Sequence, residues 1–179
     1  MISLGMIVRN SEATLRACLE SVAPHVDEIV IGLGGESTDQ TEAIAREFTD
    51  KIIPIEWHDD FAEARNIVLQ ATTGDYYLWL DSDDVLINGH VMRQLVSQHP
   101  EIEAFYWGYD YARTESGACI CYLVRERLIK KSPAWTWKGA IHEVLVGPPT
   151  HPRMFVQDIM VKHFPQPNKG NRNLDYLYR

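Results

Sequence analysis

The stretch Tyr76-Tyr77-Leu78-Trp79-Leu80-Asp81-Ser82-Asp83-Asp84 carries the strongest chemical signal in the chain. An apolar run suited to a protein interior ends in three carboxylates within four residues. Such a group repels itself unless a cation sits among it. In an extended chain residues two apart point to the same side, so Asp81 and Asp83 can share one hard divalent ion or its bound waters. Mn²⁺ or Mg²⁺ with a diphosphate suits this arrangement, because Mg²⁺ takes one or two carboxylates and completes its shell from phosphate oxygens. Capping of a following helix would occupy one acid, Asp84, and leave the other two unexplained. A calcium loop is excluded, since Val85 and Leu86 stand where a third oxygen ligand and a glycine are required. Glycine loops for phosphate are excluded too: Gly32-Leu33-Gly34-Gly35 has no following lysine, and Ser37 takes the last glycine position of the dinucleotide fingerprint.

The elements around these acids follow from hydrophobic periodicity. Met1 to Val8 gives a strand, and Ala13, Leu15, Ala17, Cys18, Leu19 and Val22 recur at helical spacing. Asp27 to Leu33 gives a second strand, with Ser37, Thr38 and Asp39 as cap candidates for a second helix. A third strand, Lys51 to Ile55, precedes a helix over Asp60 to Ala71, and the Gly74-Asp75 turn leads into the strand Tyr76 to Leu80. Strands alternating with helices argue for an α/β fold whose central sheet is mostly parallel and covered on both faces. After Asp84 the rhythm changes to a helix over Gly89 to Ser97. A hairpin of Glu103 to Arg113 with Ala118 to Arg125 follows, then strand-like pieces at Ala140 to Val146 and Phe155 to His163. The second half is therefore expected to be mixed or antiparallel. A single domain over 1–179 is expected, with a nucleotide-binding half at 1–84 and an acceptor-side half at 85–179. Residues Arg172 to Arg179 resemble the start of a helix, as if a longer chain were cut there.

In an open parallel sheet, ligands bind outside the carboxyl ends of the strands. The loops after the first, second and fourth strands carry Asn10 and Glu12, then Gly34 to Asp39, then Asp81 to Asp84. Three polar groups on one sheet edge make a candidate binding site.

Composition narrows the partners. The 179 residues are 45% hydrophobic and 10% aromatic, enough for one substantial core. A net charge of −8, from 25 acidic and 17 basic residues, disfavours nucleic acid or an anionic membrane surface as partner. No apolar run approaches the roughly 18 residues of a membrane span, so a cytoplasmic location is the default expectation. Three cysteines cannot pair completely; Cys119 and Cys121 read as half-buried strand residues.

Five successive stretches resemble, in order, the motifs of family 2 glycosyltransferases with the GT-A fold. They are Met6 to Asn10 with Glu12, Asp27 to Ile31, Ser37 to Thr41, Trp57-His58-Asp59-Asp60-Phe61-Ala62-Glu63-Ala64-Arg65-Asn66, and Gly74 to Asp83. Trp137 to Glu143, Val161-Lys162-His163, Lys169 and Arg172 are similar to the second half of a bacterial subgroup of that family. The resemblance implies a Rossmann-like sheet and transfer of a sugar from a nucleotide diphosphate donor to a glycan, lipid or protein hydroxyl, usually with inversion. It implies Asp83 as a metal ligand and Asp81 as holder of the ribose or the metal's water. Asn10, Glu12 and Asp39 would line the nucleoside pocket, and Arg65 would lie near the nucleotide, where a guanidinium suits phosphate or a base edge.

An inverting transfer needs a base for the acceptor hydroxyl; Glu143 is the candidate and Asp110 the reserve. A structural His142–Glu143 pair and a surface ion pair of Arg65 with Glu63 or Asp59 are the plain alternatives. His163 is a candidate third metal ligand beside Asp81 and Asp83, and Trp135 and Trp137 either stack on a sugar or fill the core. The family loop after the second strand usually reads V-D-x-G-S-x-D. Here Gly34 stands at the position of the acid; either Glu36 reaches back to substitute for it, or the glycines let the base lie close against the backbone. That departure supports a second reading, a non-catalytic nucleotide- or glycan-binding module. A nucleotidyltransferase, which can share the sheet and the acids, is a third.

Overall fold

The computed structural model describes residues 1–114 and 116–165. Strand β1 (Ile2–Val8) leads to helix α1 (Leu15–Val22), β2 (Glu28–Gly34) to α2 (Thr41–Arg46), β3 (Ile52–Ile55) to α3 (Phe61–Ala71), and then β4 (Tyr76–Trp79) enters the acid stretch. The second half holds β5 (Asp84–Ile87), α4 (Met92–Gln98), β6 (Ala104–Arg113), β7 (Cys119–Lys130), β8 (Thr136–Lys138), β9 (Val144–Val146) and β10 (Arg153–His163).

Eight strands form one sheet in the order β3-β2-β1-β4-β7-β6-β10-β5, while β8 and β9 make a separate antiparallel pair. The first four of these are mutually parallel, β7 runs against both β4 and β6, and β10 runs parallel to β6. The carboxyl ends of β1, β2, β4, β6 and β10 therefore share one edge. Strand order reverses beside β1, between β2 and β4, and that is where a crevice opens in such sheets.

Each face of the sheet is covered. On one, Ile2, Leu4, Met6 and Val8 of β1 pack with Leu15, Leu19 and Val22 of α1. On the other, Tyr77 and Trp79 of β4 meet Ala62 and Leu69 of α3 together with Trp137 and Leu145 of the small sheet. Helix α3 lies close against the strands because Gly5 and Gly32 present no Cβ to it; a Cβ at Gly5 would stand 2.9 Å from Val68 Cγ1, and one at Gly32 2.7 Å from Val68 Cγ2. This close seat brings the first turns of α3 within reach of the end of β4.

Several elements depart from the sequence reading; among them, β7 runs on to Lys130 where a strand ending at Arg125 is expected. Asp84 does not cap a helix: it begins β5, and the helix expected at Gly89 forms only from Met92, after a 3-10 turn at Gly89–Val91. The run Ala140 to Val146 is a strand only at Val144–Val146, because Gly139 (φ 96) and His142 (φ 57) turn the chain before it. Strand β8 was not anticipated. Lys169, Arg172 and the helix expected over Arg172 to Arg179 lie outside the described residues. All three cysteines are free thiols; Cys18 is buried, Cys121 half-buried and Cys119 exposed.

Candidate active site at the carboxyl edge of the sheet

The loop after β1 is pinned to the loop after β2 by the polar residues that both carry. Asn10, in the left-handed region at φ 46 that asparagine tolerates, accepts the Thr38 N–H at 2.8 Å. Glu12 accepts from Gln40 N at 3.0 Å, and Asp39 accepts in return from Glu12 N at 3.1 Å and from Thr41 N at 3.0 Å. Burial works against the charge of Asp39, but the bonds from Thr41 and Glu12 outweigh it and hold its carboxyl low. Ser11 ties this pair of loops to the acid loop, accepting from Ser82 Oγ at 2.9 Å. Glu36 stands exposed outside this brace. Gly34 is buried beside the Trp57 ring.

The three acids at the end of β4 have separate fates. Asp81 turns to Arg65, whose Nη2 donates to it at 2.5 Å. Burial opposes the charge of Asp81, yet Arg65 and then Arg127 overcome it and bring its carboxyl to about 2. Asp84 is fully buried and fully engaged: Oδ1 accepts from Tyr109 Oη at 2.9 Å, and Oδ2 accepts from Arg127 Nη1 at 3.1 Å and Asp81 N at 3.1 Å. Asp83 is buried, and its backbone carbonyl accepts from Phe164 N at 2.7 Å. His163, at the end of β10, places Nδ1 3.2 Å from Asp84 Oδ1 and 3.7 Å from Asp83 Oδ1. Burial pushes against protonation of His163, but the bond to Asp84 and the neighbouring aspartates raise it.

Asp83, Asp84 and His163 can each offer an atom within 4.8 Å of the others; the carboxylate oxygens suit Mn²⁺ or Mg²⁺, and the imidazole nitrogen favours a transition metal such as Mn²⁺ over Mg²⁺. Asp81, expected among the ligands, is not in this group, while Asp84, expected as a cap, is.

Arg65 is buried and joins two loops. Its Nε donates to Glu143 Oε1 at 2.7 Å, and its guanidinium lies 4.8 Å from the Trp137 ring centroid and 5.3 Å from that of Trp79. The surface pairing with Glu63 or Asp59 does not occur; Glu63 faces His58 instead. Glu143 reaches Arg65 because the turn from β8 into β9 is docked on the start of α3. Phe61 N donates to Ala140 O at 2.9 Å, and the Asn66 side chain bonds both the N–H and the carbonyl of Trp137. His142 is exposed and Glu143 pairs with Arg65, in place of the His142–Glu143 pair that stood as the plain alternative. Trp135 and Trp137 are core residues, 4% and 3% exposed. Asp110 is buried and held by Arg113.

Sequence reasoning passed over Arg127, Tyr109, Ser11 with Ser82, and the bracing role of Asn66. The only local sign for Arg127 was a charged residue bounded by the apolar Leu128 and Ile129.

The fold with this edge is shared with known proteins. The S. aureus protein TarS (residues 1–349) is similar at a TM-score of 0.51 and 22% identity, over 64% of this chain and 36% of that one. Glucosyl-3-phosphoglycerate synthase from Mycobacterium tuberculosis, solved with Mn²⁺ and UDP-glucose, is similar at a TM-score of 0.50 and 26% identity, over 61% of this chain and 43% of that one. By sequence, the chain is 37% identical over 144 residues to a TPR repeat-containing protein of Synechococcus elongatus, covering 80% of this chain and 35% of the relative. It is 35% identical over 86 residues to the glycosyltransferase SunS of Bacillus subtilis, covering 47% of this chain and 20% of that protein. The chain thus spans about a third and a fifth of the length of these two relatives. The family model described as glycosyl transferase family 2 matches residues 3–113, more than half of the chain, and the chain belongs to that family.

Proposed function

We propose that this chain is the donor-binding and catalytic part of a metal-dependent, inverting glycosyltransferase that uses a UDP-sugar. The observation that carries this reading is the meeting of Asp83 and His163 on the sheet edge where the loops of β1, β2 and β4 converge. Four carboxylates (Asp81, Asp83, Asp84, Glu143) gather with two guanidiniums (Arg65, Arg127) and the His163 imidazole, an excess of negative charge that suits a divalent cation. Asp83 and His163 would hold Mn²⁺ or Mg²⁺; the oxygens of Asp84 are already taken by Arg127, Tyr109 and Asp81 N. The ion, when bound, would neutralise the diphosphate as leaving-group charge develops. The complexes of the M. tuberculosis synthase with Mn²⁺ and UDP-glucose support the choice of donor.

Glu143 is proposed as the base. It takes the proton of an acceptor hydroxyl while that oxygen forms its bond to the anomeric carbon, and the bond to the diphosphate oxygen breaks on the opposite face. Arg65 fixes Glu143 relative to Asp81, so proton acceptor and donor loop are held by one rigid fork.

The test is release of UDP from UDP-glucose and UDP-N-acetylglucosamine in the presence of Mn²⁺, with the chain and its Asp83→Ala variant. Metal-dependent release that Asp83→Ala lowers at least a hundredfold is expected. Metal-dependent UDP binding without release would favour the non-catalytic module, a reading supported by Gly34 and by the use of Asn10, Glu12 and Asp39 in loop bracing. Pyrophosphate release from a nucleoside triphosphate and a sugar phosphate would favour a nucleotidyltransferase.

A further inference from the structure

Arg127 is fully buried, yet it belongs to none of the elements that carry the acids. It owes its place to an irregularity in β7: Phe105 pairs with Leu128 and Tyr106 with Glu126, so Arg127 is the extra residue of a bulge. Bulges re-aim a side chain out of strict alternation and are frequent beside active sites. The carbonyl exposed by this one, at Glu126, accepts from Trp79 Nε1 at 2.6 Å. The re-aimed guanidinium lies with Cζ 3.9 Å from the Trp79 ring centroid and 4.2 Å from that of Tyr109. Its Nε and Nη2 have no hydrogen-bond acceptor among the described residues, the cation being met by ring faces instead.

The remaining nitrogen closes the acid loop. Arg127 Nη1 lies 3.4 Å from the carbonyl of Trp79, just before the acids, and 3.1 Å from Asp84 Oδ2, at their end. The same Asp84 carboxylate accepts from Asp81 N and Tyr109 Oη and lies beside His163. One donor thus clamps both ends of the loop that presents Asp83, one through the Trp79 carbonyl and the other through Asp84.

We propose that Arg127 is a positioning residue that sets the geometry of the Asp83–His163 cradle by holding Asp84, and that Asp84 serves as an anchor rather than a ligand. This rests on the metal reading above. It makes an unusual prediction of sign: removing a cation from beside acids should tighten a divalent ion by simple electrostatics, whereas loss of the clamp should weaken it.

The test measures Mn²⁺ alone, by loss of its free electron paramagnetic resonance signal on titration with the full chain. Arg127→Gln, Arg127→Lys, Asp84→Asn and the double variant R127Q/D84N are compared, with the exposed Arg16→Lys as control. Expected are a Kd for Mn²⁺ at least tenfold weaker in R127Q, an intermediate value in R127K, no change in R16K, and a double variant no worse than the worse single one. A folded R127Q that binds Mn²⁺ as tightly as the unaltered chain, or more tightly, overturns the proposal, and so do additive effects of R127Q and D84N. Should R127Q fail to unfold cooperatively, R127K decides: about threefold or greater weakening supports the clamp, and unaltered affinity overturns it. An unaltered chain that takes up no Mn²⁺ overturns the metal reading itself, and this inference with it.

Discussion

Arg65 donates to Asp81 at 2.5 Å, and this one contact joins the outer helix layer to the end of the central strand β4. The same guanidinium holds Glu143 at 2.7 Å, so two acids from opposite halves of the chain share a cation. Burial pushes the Arg65 pKa down, but Asp81 and Glu143 raise it well above its ordinary value, which keeps the group charged.

Arg65→Met would leave both acids without their partner. Breaking a pair of this kind costs about 3 kcal/mol, to be read as a lower urea midpoint at unchanged slope. Arg65→Lys keeps the charge but replaces a fork reaching two acids with a single point, so fold is expected to survive while UDP-sugar turnover falls about a hundredfold. Turnover in Arg65→Lys equal to that of the unaltered chain would show that charge, not the fork, is what matters.

Glu143→Gln preserves shape and removes the proton acceptor proposed above. Transfer is expected to fall roughly 10³-fold while the Kd for UDP with Mn²⁺ changes less than about threefold, since a general base contributes 10²–10⁴. Titration calorimetry with UDP separates the two quantities. A parallel loss of binding would mean that Glu143 acts on Arg65 rather than on the acceptor, and Asp110→Asn would then be the next variant to assay.

The contrast between Arg65 and Arg127 shows how much of this site the sequence carried. Arg65 stands in a recognisable local motif on an amphipathic helix, and strand-helix alternation alone places the loops with Asn10, Asp39 and Asp83 on one edge. Which acid meets which cation is a matter of long-range register. Asp81 and Arg65 are 16 residues apart, Arg65 and Glu143 are 78 apart, and no periodicity encodes such pairings. Arg127 was least legible, since a bulge depends on pairing between β6 and β7 and Arg125-Glu126-Arg127 looks like a solvated strand. Asp84 was misplaced for a related reason: β5 gains its hydrogen bonds from β10, some 75 residues later, and so a local capping signal was overridden.

Gly34 offers a gain-of-function test. A Cβ there would meet Trp57 Cε3 at 3.5 Å and the Val8 carbonyl at 3.9 Å, both ordinary contacts, and the backbone is not in the left-handed region. Gly34→Asp therefore fits without strain and supplies an acid where the family usually has one. A hydrogen bond from a uridine or ribose donor to that carboxylate would strengthen UDP binding roughly tenfold. Gly34→Ala controls for the loss of glycine. Unchanged or weaker binding in G34D would mean that the nucleoside lies elsewhere against the Gly34–Gly35 backbone.

Glu28 sits at the opposite edge of the sheet and governs acid stability rather than chemistry. It is 7% exposed, pairs with Ser3 across β1 and β2, accepts from Thr73 N at 2.7 Å and Thr73 Oγ1 at 2.8 Å, and is bridged by Lys51. Burial alone would raise its pKa, but these donors outweigh it and lower the carboxyl to about 2 from its ordinary 4.5. A depressed folded pKa stabilises the fold above about pH 4.5, and the contribution drains away as pH falls toward 2. The difference is worth up to about 3 kcal/mol at neutral pH. Glu28→Gln should therefore lower the urea midpoint at pH 7 and flatten the acid limb, so that the gap to the unaltered chain narrows between pH 5 and pH 3. A gap that stays constant across that range would show that Glu28 contributes shape and hydrogen bonds independent of its charge.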